Sequence, residues 1–489
     1  MRISPRALKF GLPALGVVGI IGWYAGNLLG LVGLKLWLFR GALWLLGTLF
    51  VFLVLRLVPK KEKGTSGTPE DAEVATILAT AARRLVASGV AGKKGFRTLP
   101  VILFLGPAGS AKTSVVQQAG METDLLAGDG DDGEPPPPTP NLNLWLSQRT
   151  VLLEAGDGVT QSPKAWQRVL QDIRPRGFSA MLKGQPSRIA VVCVASDLLT
   201  GRDRQALATL AKDLRARLNE AAAKLDTRLP VYVLFTKADQ IRYFTEFVRN
   251  LNGAESTEPL GVTLSLPEGQ DPGLYKQWQA GRLREAFESV FLALARRRTD
   301  VMARAGDPLE RSAAYEFPRE FRKITDAAQD FLLELTRPSQ LKISSFLRGF
   351  YFTGIRPVSL DSRPEPTVAP PIPQVAKGAT MVFDPSTLAT EPQPQPRSGR
   401  RVAQWTFLGR LLPDVLLRDP VAVAASLGGP RAAFRKRALL GSGIGLVGLV
   451  GLMLTISFFG NRRLQGETRA AIAEVEDVRS PGAGIPSLE

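Results

Sequence analysis

Residues 106–113 read GPAGSAKT, and their types and spacing are those of a loop that binds phosphate. The backbone N–H groups of such a turn, together with the start of the following helix, form a cradle for phosphate oxygens. Lys112 would neutralise the β and γ oxygens, and Thr113 would offer its hydroxyl to magnesium. The loop therefore predicts GTP or ATP with magnesium as the ligand, and no zinc, haem or flavin.

Ala111 is the departure from the pattern G-x-x-x-x-G-K-[ST], because it replaces the second required glycine. Gly106 and Gly109 keep their backbone freedom on either side of the turn, and Ser110 lies directly before the alanine. If position 111 needs a positive φ, an alanine costs about 1–2 kcal/mol there. If the position is helical, the cost is small. The alternative is a strand-to-helix turn with an incidental Lys-Thr pair.

Two acidic residues follow in VLLEAGDG, where a nucleotide-binding protein has its second conserved element. Glu154 stands where an aspartate associated with magnesium is expected. Asp157 stands where a glycine that senses the γ-phosphate is expected. Both are candidate catalytic groups, with Glu154 also a candidate magnesium ligand, yet both changes argue against efficient hydrolysis. The alternative is an ordinary acidic end of a strand.

The stretch FTKAD resembles the base-reading motif N-K-x-D. Asp239 could accept hydrogen bonds from guanine, and Lys237 could pack along its ring. Thr236 replaces the usual asparagine. These three residues complete the predicted nucleotide site.

The elements that must position these residues alternate between strand-like and helix-like runs. Short apolar runs rich in β-branched residues predict strands that are buried on both faces, namely VILFL, TVLLEAG, RIAVVCVAS and PVYVLFTKAD. Amphipathic stretches between them predict a parallel sheet covered by helices. Residues 275–350 have a mainly helical pattern, and residues 359–400 form a Pro-rich linker.

Composition excludes several classes of function. The chain has 489 residues, a formal net charge of +17, one cysteine and no histidine. The absence of histidine removes Ser-His-Asp and Cys-His chemistry and the usual zinc sites. Cys193 lies in the apolar run RIAVVCVAS, which predicts a buried small hydrophobe. The basic excess predicts an anionic partner, and the inner leaflet of a membrane fits better than nucleic acid, for which no signature is present.

Three apolar segments predict membrane spans, because a bilayer core needs about 20 apolar residues per helix. A hairpin would span at 11–31 and 38–58, and a third span would cover 438–460. Lysines and arginines flank these spans on the side of the N-terminus and of residues 59–437, so that side is predicted to be cytoplasmic and residues 461–489 periplasmic.

Several ordered stretches are similar to the IcmF/TssM family of the bacterial type VI secretion system. They are LPVYVLFTKADQIRYFTEFVRNL, RIAVVCVASDLL, FPREFRKI and LRGFYFTGIRP. The predicted hairpin, large cytoplasmic segment and third span match the family as well, and the resemblance covers about 1–465. In the family the phosphate loop falls on 106–113 and a D-T-A-G-R-Y element falls on 154–159, which reads EAGDGV here.

The resemblance implies a multi-pass inner-membrane subunit that forms a homo-oligomer. It also implies a smaller inner-membrane partner, TssL, and cytoplasmic baseplate-like proteins, with residues 275–350 as their candidate platform. The family reaches an outer-membrane lipoprotein, TssJ, through a large periplasmic domain. That domain is missing from 461–489, which leaves the TssJ contact without a surface.

The predicted fold class is an α/β P-loop NTPase-like cytoplasmic domain with a helical extension and three transmembrane helices. The predicted order is a transmembrane hairpin (1–60), the α/β domain (61–260), a mainly helical domain (261–358), the linker (359–400), a juxtamembrane segment (401–437), the third span (438–460) and a periplasmic tail (461–489).

Three functions stay open at this stage. The first is a structural subunit of the secretion system with a degenerate NTPase-like domain that binds nucleotide with little or no turnover. The second is an active GTPase or ATPase that drives assembly or secretion. The third is a GTPase-gated membrane transporter, for which spans without polar residues offer no substrate path. Ala111, Glu154 and Asp157 favour the first over the second.

Overall fold

The computed structural model describes most of the central part of the chain. The described residues are isolated positions between 33 and 48 and the segments 69–91, 95–128, 141–175, 186–201, 203–266, 275–338, 345–359, 401–426 and 430–479. The chain divides into two compact units. The larger comprises residues 66–176 and 184–429, and the smaller comprises 1–65, 177–183 and 430–489.

A mixed sheet forms the centre of the larger unit. Its strands are β1 (Val101–Leu105), β2 (Asp124–Ala127), β3 (Leu142–Ser147), β4 (Thr150–Ala155), β5 (Arg188–Ala195), β6 (Pro230–Thr236), β7 (Leu260–Thr263) and β8 (Phe346–Phe352). The order across the sheet is β2-β3-β4-β1-β5-β6-β8-β7. The five central strands from β4 to β8 are parallel, whereas β2, β3 and β7 are antiparallel to their neighbours. A separate ribbon pairs β9 (Gly354–Ser359) with β10 (Arg401–Thr406).

Helices cover the sheet and connect its strands. In chain order they are α1 (Pro69–Ala87), α2 (Lys112–Gln117), α3 (Asp157–Gln161), α4 (Pro163–Ile173), α5 (Asp197–Thr200), α6 (Arg204–Leu225), α7 (Phe244–Arg249), α8 (Gly253–Thr257), α9 (Tyr275–Arg304), α10 (Pro308–Leu335) and α11 (Pro420–Ser426). A π-helical turn covers Leu411–Leu416. The smaller unit contains α12 (Pro430–Arg479).

The alternation of side chains along each strand builds two separate cores, because successive residues point to opposite faces of a sheet. On β1, Val101 and Leu103 face the larger core with α1, α4, α6, α9 and α10. Ile102 and Phe104 face a smaller core on the other side. The parallel strands are buried on both faces, as their continuous apolar runs predict.

The smaller core is closed by residues 401–426, which we call the C-terminal strap. Leu408, Leu411, Leu412 and Leu416 of the strap are buried there against the sheet and α2. The strap is therefore part of the folded unit that contains the sheet.

A buried ion pair fixes the far end of the strap. Asp419 accepts hydrogen bonds from Arg348 of β8 and from the hydroxyl of Tyr232 of β6, and it also caps the first turn of α11. Arg348 and Asp419 are 9% and 5% exposed. Because a buried charge is tolerated only when it is paired and hydrogen-bonded, this cluster specifies where the strap lies.

The predicted strands VILFL, TVLLEAG, RIAVVCVAS and PVYVLFTKAD are confirmed as β1, β4, β5 and β6. The helical pattern over 275–350 is confirmed as α9 and α10 up to Leu335, but its end is wrong. Residues 346–352 form β8, whose run FLRGFYF is buried along its whole length between β6 and β7. The predicted domain boundaries at 260 and 358 stay predictions.

The prediction of three transmembrane helices is wrong where the structure describes the chain. The third predicted span, 438–460, lies inside α12, which continues without a break to Arg479. Among the described residues, no helix combines the length and the apolar character needed to cross a bilayer. The two spans predicted at 11–31 and 38–58 lie outside the described residues, apart from isolated positions.

The buried ion pair of the strap gives a first prediction. Replacing Asp419 by alanine should lower the free energy of unfolding by about 3–5 kcal/mol, because Arg348 would be left buried without a counter-charge. Urea unfolding of the full chain measures this. Asp414→Ala is the matched control, since Asp414 accepts from Arg410 and Arg418 at the surface of the same strap. Equal losses in the two variants would contradict the assignment.

A second cluster predicts acid sensitivity. Glu255 of α8 accepts hydrogen bonds from Arg304 and Arg297 of α9 and from the backbone of Asn252. The hydrogen bond from Arg304 is the main cause that lowers the pKa of Glu255 to about 2. An unfolded glutamate has a pKa of about 4.3, so this stabilisation is present above that pH and is lost as the pH falls towards 2.

We therefore expect the stability advantage of the wild type over Glu255→Gln to be constant above about pH 5 and to shrink between about pH 4 and pH 2. Urea unfolding of both proteins at a series of pH values measures it. An advantage that is unchanged at pH 2.5 would show that Glu255 does not carry this charge in the folded protein.

Candidate functional site

The loop 106–113 lies between β1 and α2, at the carboxyl edge of the parallel strands. The chain leaves β1 to build β2, β3 and β4 on one side of it, and β5 lies on the other side. Open α/β sheets bind ligands at such a switch point. Gly106 has a φ of +151°, and a Cβ there would lie 2.2 Å from the carbonyl oxygen of Cys193 on β5. Only glycine fits this close approach. Cys193 itself is fully buried, and burial raises the pKa of its thiol to about 12, so the thiol is inert.

Ala111 occupies the left-handed region, with φ 59° and ψ 27°. The sequence left open whether this position is left-handed or helical, and the structure has the left-handed form. The alanine therefore carries the cost of about 1–2 kcal/mol that a glycine would avoid. The loop thus has a left-handed residue at the position where the pattern has glycine.

Lys112 crosses the mouth of the loop. Its Nζ donates to the carbonyl oxygens of Gly106 and Pro107 at 2.7 and 2.9 Å, and the side chain is 7% exposed. An ammonium group has three donors, so one remains for a phosphate oxygen. The Lys112 ammonium group is thus held by two carbonyl oxygens of the loop itself.

Thr113 and Glu154 meet directly. The Thr113 hydroxyl donates to Oε1 of Glu154 at 2.6 Å, and the Asn143 amide donates to Oε2 at 3.3 Å. Glu154 is 2% exposed on β4, beside β1 in the sheet. The two groups predicted to share a magnesium ion therefore contact each other directly.

Asp157 also turns towards the loop. Its Oδ2 accepts from the backbone N–H of Ala108 at 3.1 Å. One of the loop's backbone donors is thus bonded to a carboxylate of the protein. A second negative charge beside the cradle disfavours a nucleotide γ-phosphate at the same place.

Thr236, at the end of β6, is tied to the same loop. Its hydroxyl donates to the carbonyl oxygen of Ser110 at 3.0 Å, and both residues are buried. Lys237 follows in the left-handed region with φ 52°. The structure therefore brings the end of β6 against the loop 106–113.

Asp239 makes two hydrogen bonds within the protein. Oδ1 accepts from the backbone N–H of Ile355 at 3.1 Å, and Oδ2 accepts from the Gln240 side chain at 3.2 Å. The carboxylate that was expected to read guanine instead fixes the start of β9. Guanine recognition by Asp239 would have to replace these contacts and stays a prediction.

The side chains fit a magnesium nucleotide only in part. Lys112 and Thr113 could hold the phosphates and the ion, and Glu154 could complete the ion's ligands. Among the described residues, no group of three or more acidic or cysteine side chains could hold a metal ion. The arrangement can bind an anion at Lys112, but the groups that would activate water are used in internal contacts.

Sequence reasoning missed Asn143 and Ile355, which complete two of these contacts. Asn143 lies on β3, which pairs with β4 as an antiparallel hairpin through Gln148 and Arg149. Two apolar runs separated by two residues signal such a hairpin, so LNLWLS could have been recognised. The N–H of Ile355 is a backbone group, and no residue pattern indicates its role.

The fold and the site define the class of protein. It is a mixed α/β protein in which a loop with a left-handed residue, Ala111, connects the first strand to the helix that begins at Lys112. The chain belongs to the IcmF-related family, because the family described as IcmF-related N-terminal domain matches residues 177–448, more than half of the chain. The loop 106–113 lies before that match.

A relative from Pseudomonas aeruginosa, "Type VI secretion system component TssM1", is 31% identical over 307 residues. The aligned part covers 58% of this chain and 27% of the relative. The chain thus spans about a quarter of the length of the relative that it matches.

The left-handed alanine predicts that a glycine substitution changes stability in opposite directions at two positions of the same loop. Ala111→Gly should raise the free energy of unfolding by up to about 1 kcal/mol, since it removes the strain of a Cβ at positive φ. Ala108→Gly is the control, because Ala108 is not among the positive-φ residues. It should lower stability by about 0.4–1 kcal/mol. Urea unfolding measures both, and equal losses would show that position 111 is not left-handed in solution.

Proposed function

We propose that this chain is a structural component of a type VI secretion apparatus. Its loop 106–113 resembles a nucleotide-binding loop but is occupied by hydrogen bonds to the protein's own side chains. The family and the relative support the apparatus. The inner-membrane location that the resemblance implies is part of this proposal, and an arrangement of membrane spans is not. Partners of the TssL and baseplate kinds and self-association belong to the proposal on the same ground.

The contact between Thr113 and Glu154 carries the structural role over an enzymatic one. The Thr113 hydroxyl donates its only hydrogen to Oε1 of Glu154 at 2.6 Å. Oε1 of Glu154 is thus engaged by the protein, and Asp157 adds a negative charge where the γ-phosphate would arrive. Weak nucleotide binding through Lys112, with slow or no hydrolysis, follows from these contacts.

The test is complementation of a strain that lacks the gene. Deletion should abolish secretion through the apparatus, and the wild-type chain should restore it, because the proposal makes the chain a necessary structural part. Lys112→Ala should restore secretion equally well if turnover is unimportant. Asp419→Ala serves as the control for loss of the folded unit. Secretion that is unaffected by the deletion would refute the apparatus role, and failure of Lys112→Ala despite normal folding would favour the active NTPase.

Nucleotide binding to the purified full chain provides the biochemical counterpart. A fragment ending at residue 360 is unsuitable, because the strap closes the smaller core. A charge-assisted phosphate contact contributes about 1.5–3 kcal/mol, so Lys112→Ala should weaken any affinity roughly tenfold to a hundredfold. Asp157→Gly should strengthen it, whereas Asp239→Asn should erode any preference for guanine. Calorimetry and phosphate release measure these effects, and rapid hydrolysis by the wild type would overturn the proposal.

A further inference from the structure

Two arginines stack on aromatic rings along the seam between α9 and α10. Arg298 of α9 lies over Tyr315 of α10, with its Cζ 4.4 Å from the ring centroid. Arg322 of α10 lies over Phe291 of α9 at 5.0 Å. We call them the arginine–aromatic pairs. The two helices are consecutive and in extensive contact, so both pairs lie on one hairpin.

The pairs are in register. Phe291 and Arg298 are seven residues apart on α9, and Tyr315 and Arg322 are seven residues apart on α10. Seven residues are two helical turns, about 10.5 Å. The two guanidinium groups thus lie two turns apart along one seam, each over an aromatic ring.

In the described segments both arginines contact aromatic rings but no carboxylate. Their neighbours on α10 have carboxylate partners, since Arg319 pairs with Glu316 and Lys323 pairs with Glu320. Within the described segments, Arg298 and Arg322 form no ion pair with a carboxylate. A guanidinium stacked on a ring keeps its N–H edge free, and that edge binds a carboxylate in bidentate fashion.

An apolar anchor accompanies the charges. Leu292, next to Phe291, is 43% exposed, and Tyr315 is 48% exposed. An exposed tyrosine beside arginines is typical of an interface centre, where tyrosine and arginine are enriched among the residues that contribute most of the binding energy. The groove between two antiparallel helices accepts a third helix.

We infer that the α9–α10 seam binds an acidic helix of a partner protein that presents two carboxylates seven residues apart with an apolar residue between them. The spacing of the guanidinium groups matches this pattern on a helix.

Glu288 and Asp326 are also exposed on the same hairpin, so the charge pattern of the hairpin is mixed. Mixed charge disfavours a uniformly anionic lipid surface and favours a partner that matches it group by group. The inference rests on the proposed role in a multi-subunit apparatus.

Site-specific cross-linking tests the inference in the host cell. A photoreactive amino acid replaces Leu292 in the full chain, and the same amino acid at Lys212 on α6 is the control. The cross-linked peptide, identified by mass spectrometry, should come from another protein and contain acidic residues seven apart. Replacing both Arg298 and Arg322 by glutamine should reduce the yield at least tenfold, while Lys212→Gln should leave it unchanged.

Every other outcome overturns the inference. A cross-link to lipid would assign the seam to a membrane surface, and a cross-link to this chain would assign it to self-association. A segment without the acidic spacing, an absent cross-link or an unchanged yield in the double variant would remove it as well. If the double variant still supports secretion and no partner is captured, this inference fails while the proposed function stands. Secretion that survives deletion of the gene refutes the proposed function instead.

Discussion

The arrangement of the candidate site depends on the buried carboxylate of Glu154. A charge that is 2% exposed needs hydrogen-bond donors, and Thr113 and Asn143 supply them. A glutamate is one methylene longer than an aspartate on the same strand, so it reaches the threonine without a bridging ion. This contact ties β4 to the start of α2. The loop between β1 and α2 is therefore held in place by the protein's own side chains.

The strap extends this constraint to the other face of the sheet. Val115 and Val116 of α2 pack in the smaller core with leucines of the strap. Gly120, just after α2, approaches the backbone of Gly409 so closely that a Cβ there would lie 2.0 Å from its carbonyl oxygen. The helix that follows the phosphate-type loop is thus wedged between the sheet and the strap. Any movement of the loop must be shared with residues 401–426.

Much of the sheet could be predicted from the sequence, because strands buried on both faces have continuous apolar runs, as β1, β5 and β6 do. Lys112 and Thr113 follow β1 in the sequence, and Glu154 lies near the end of β4. The apolar runs therefore also predicted that these three residues lie at one edge of the sheet. The strand β8 was hidden, since arginine, glycine and tyrosine interrupt its apolar run and the partners that allow Arg348 to be buried, Leu264 and Asp419, are 84 and 71 residues away. The contact of Asp239 with Ile355 was also inaccessible, because it depends on tertiary position rather than on local pattern.

The internal contacts also decide how strongly a nucleotide can bind. A phosphate contact from the Ala108 N–H would replace the hydrogen bond that it already donates to Asp157, whereas Lys112 keeps one donor beyond its two bonds to the loop carbonyls. An exchange of one hydrogen bond for another contributes little net free energy, whereas a cradle with free donors contributes the whole contact. A loop with its own partners is therefore poorly matched to a ligand and well matched to a fixed position in the fold. That is what a subunit needs if its surfaces, rather than its chemistry, determine how it assembles with others.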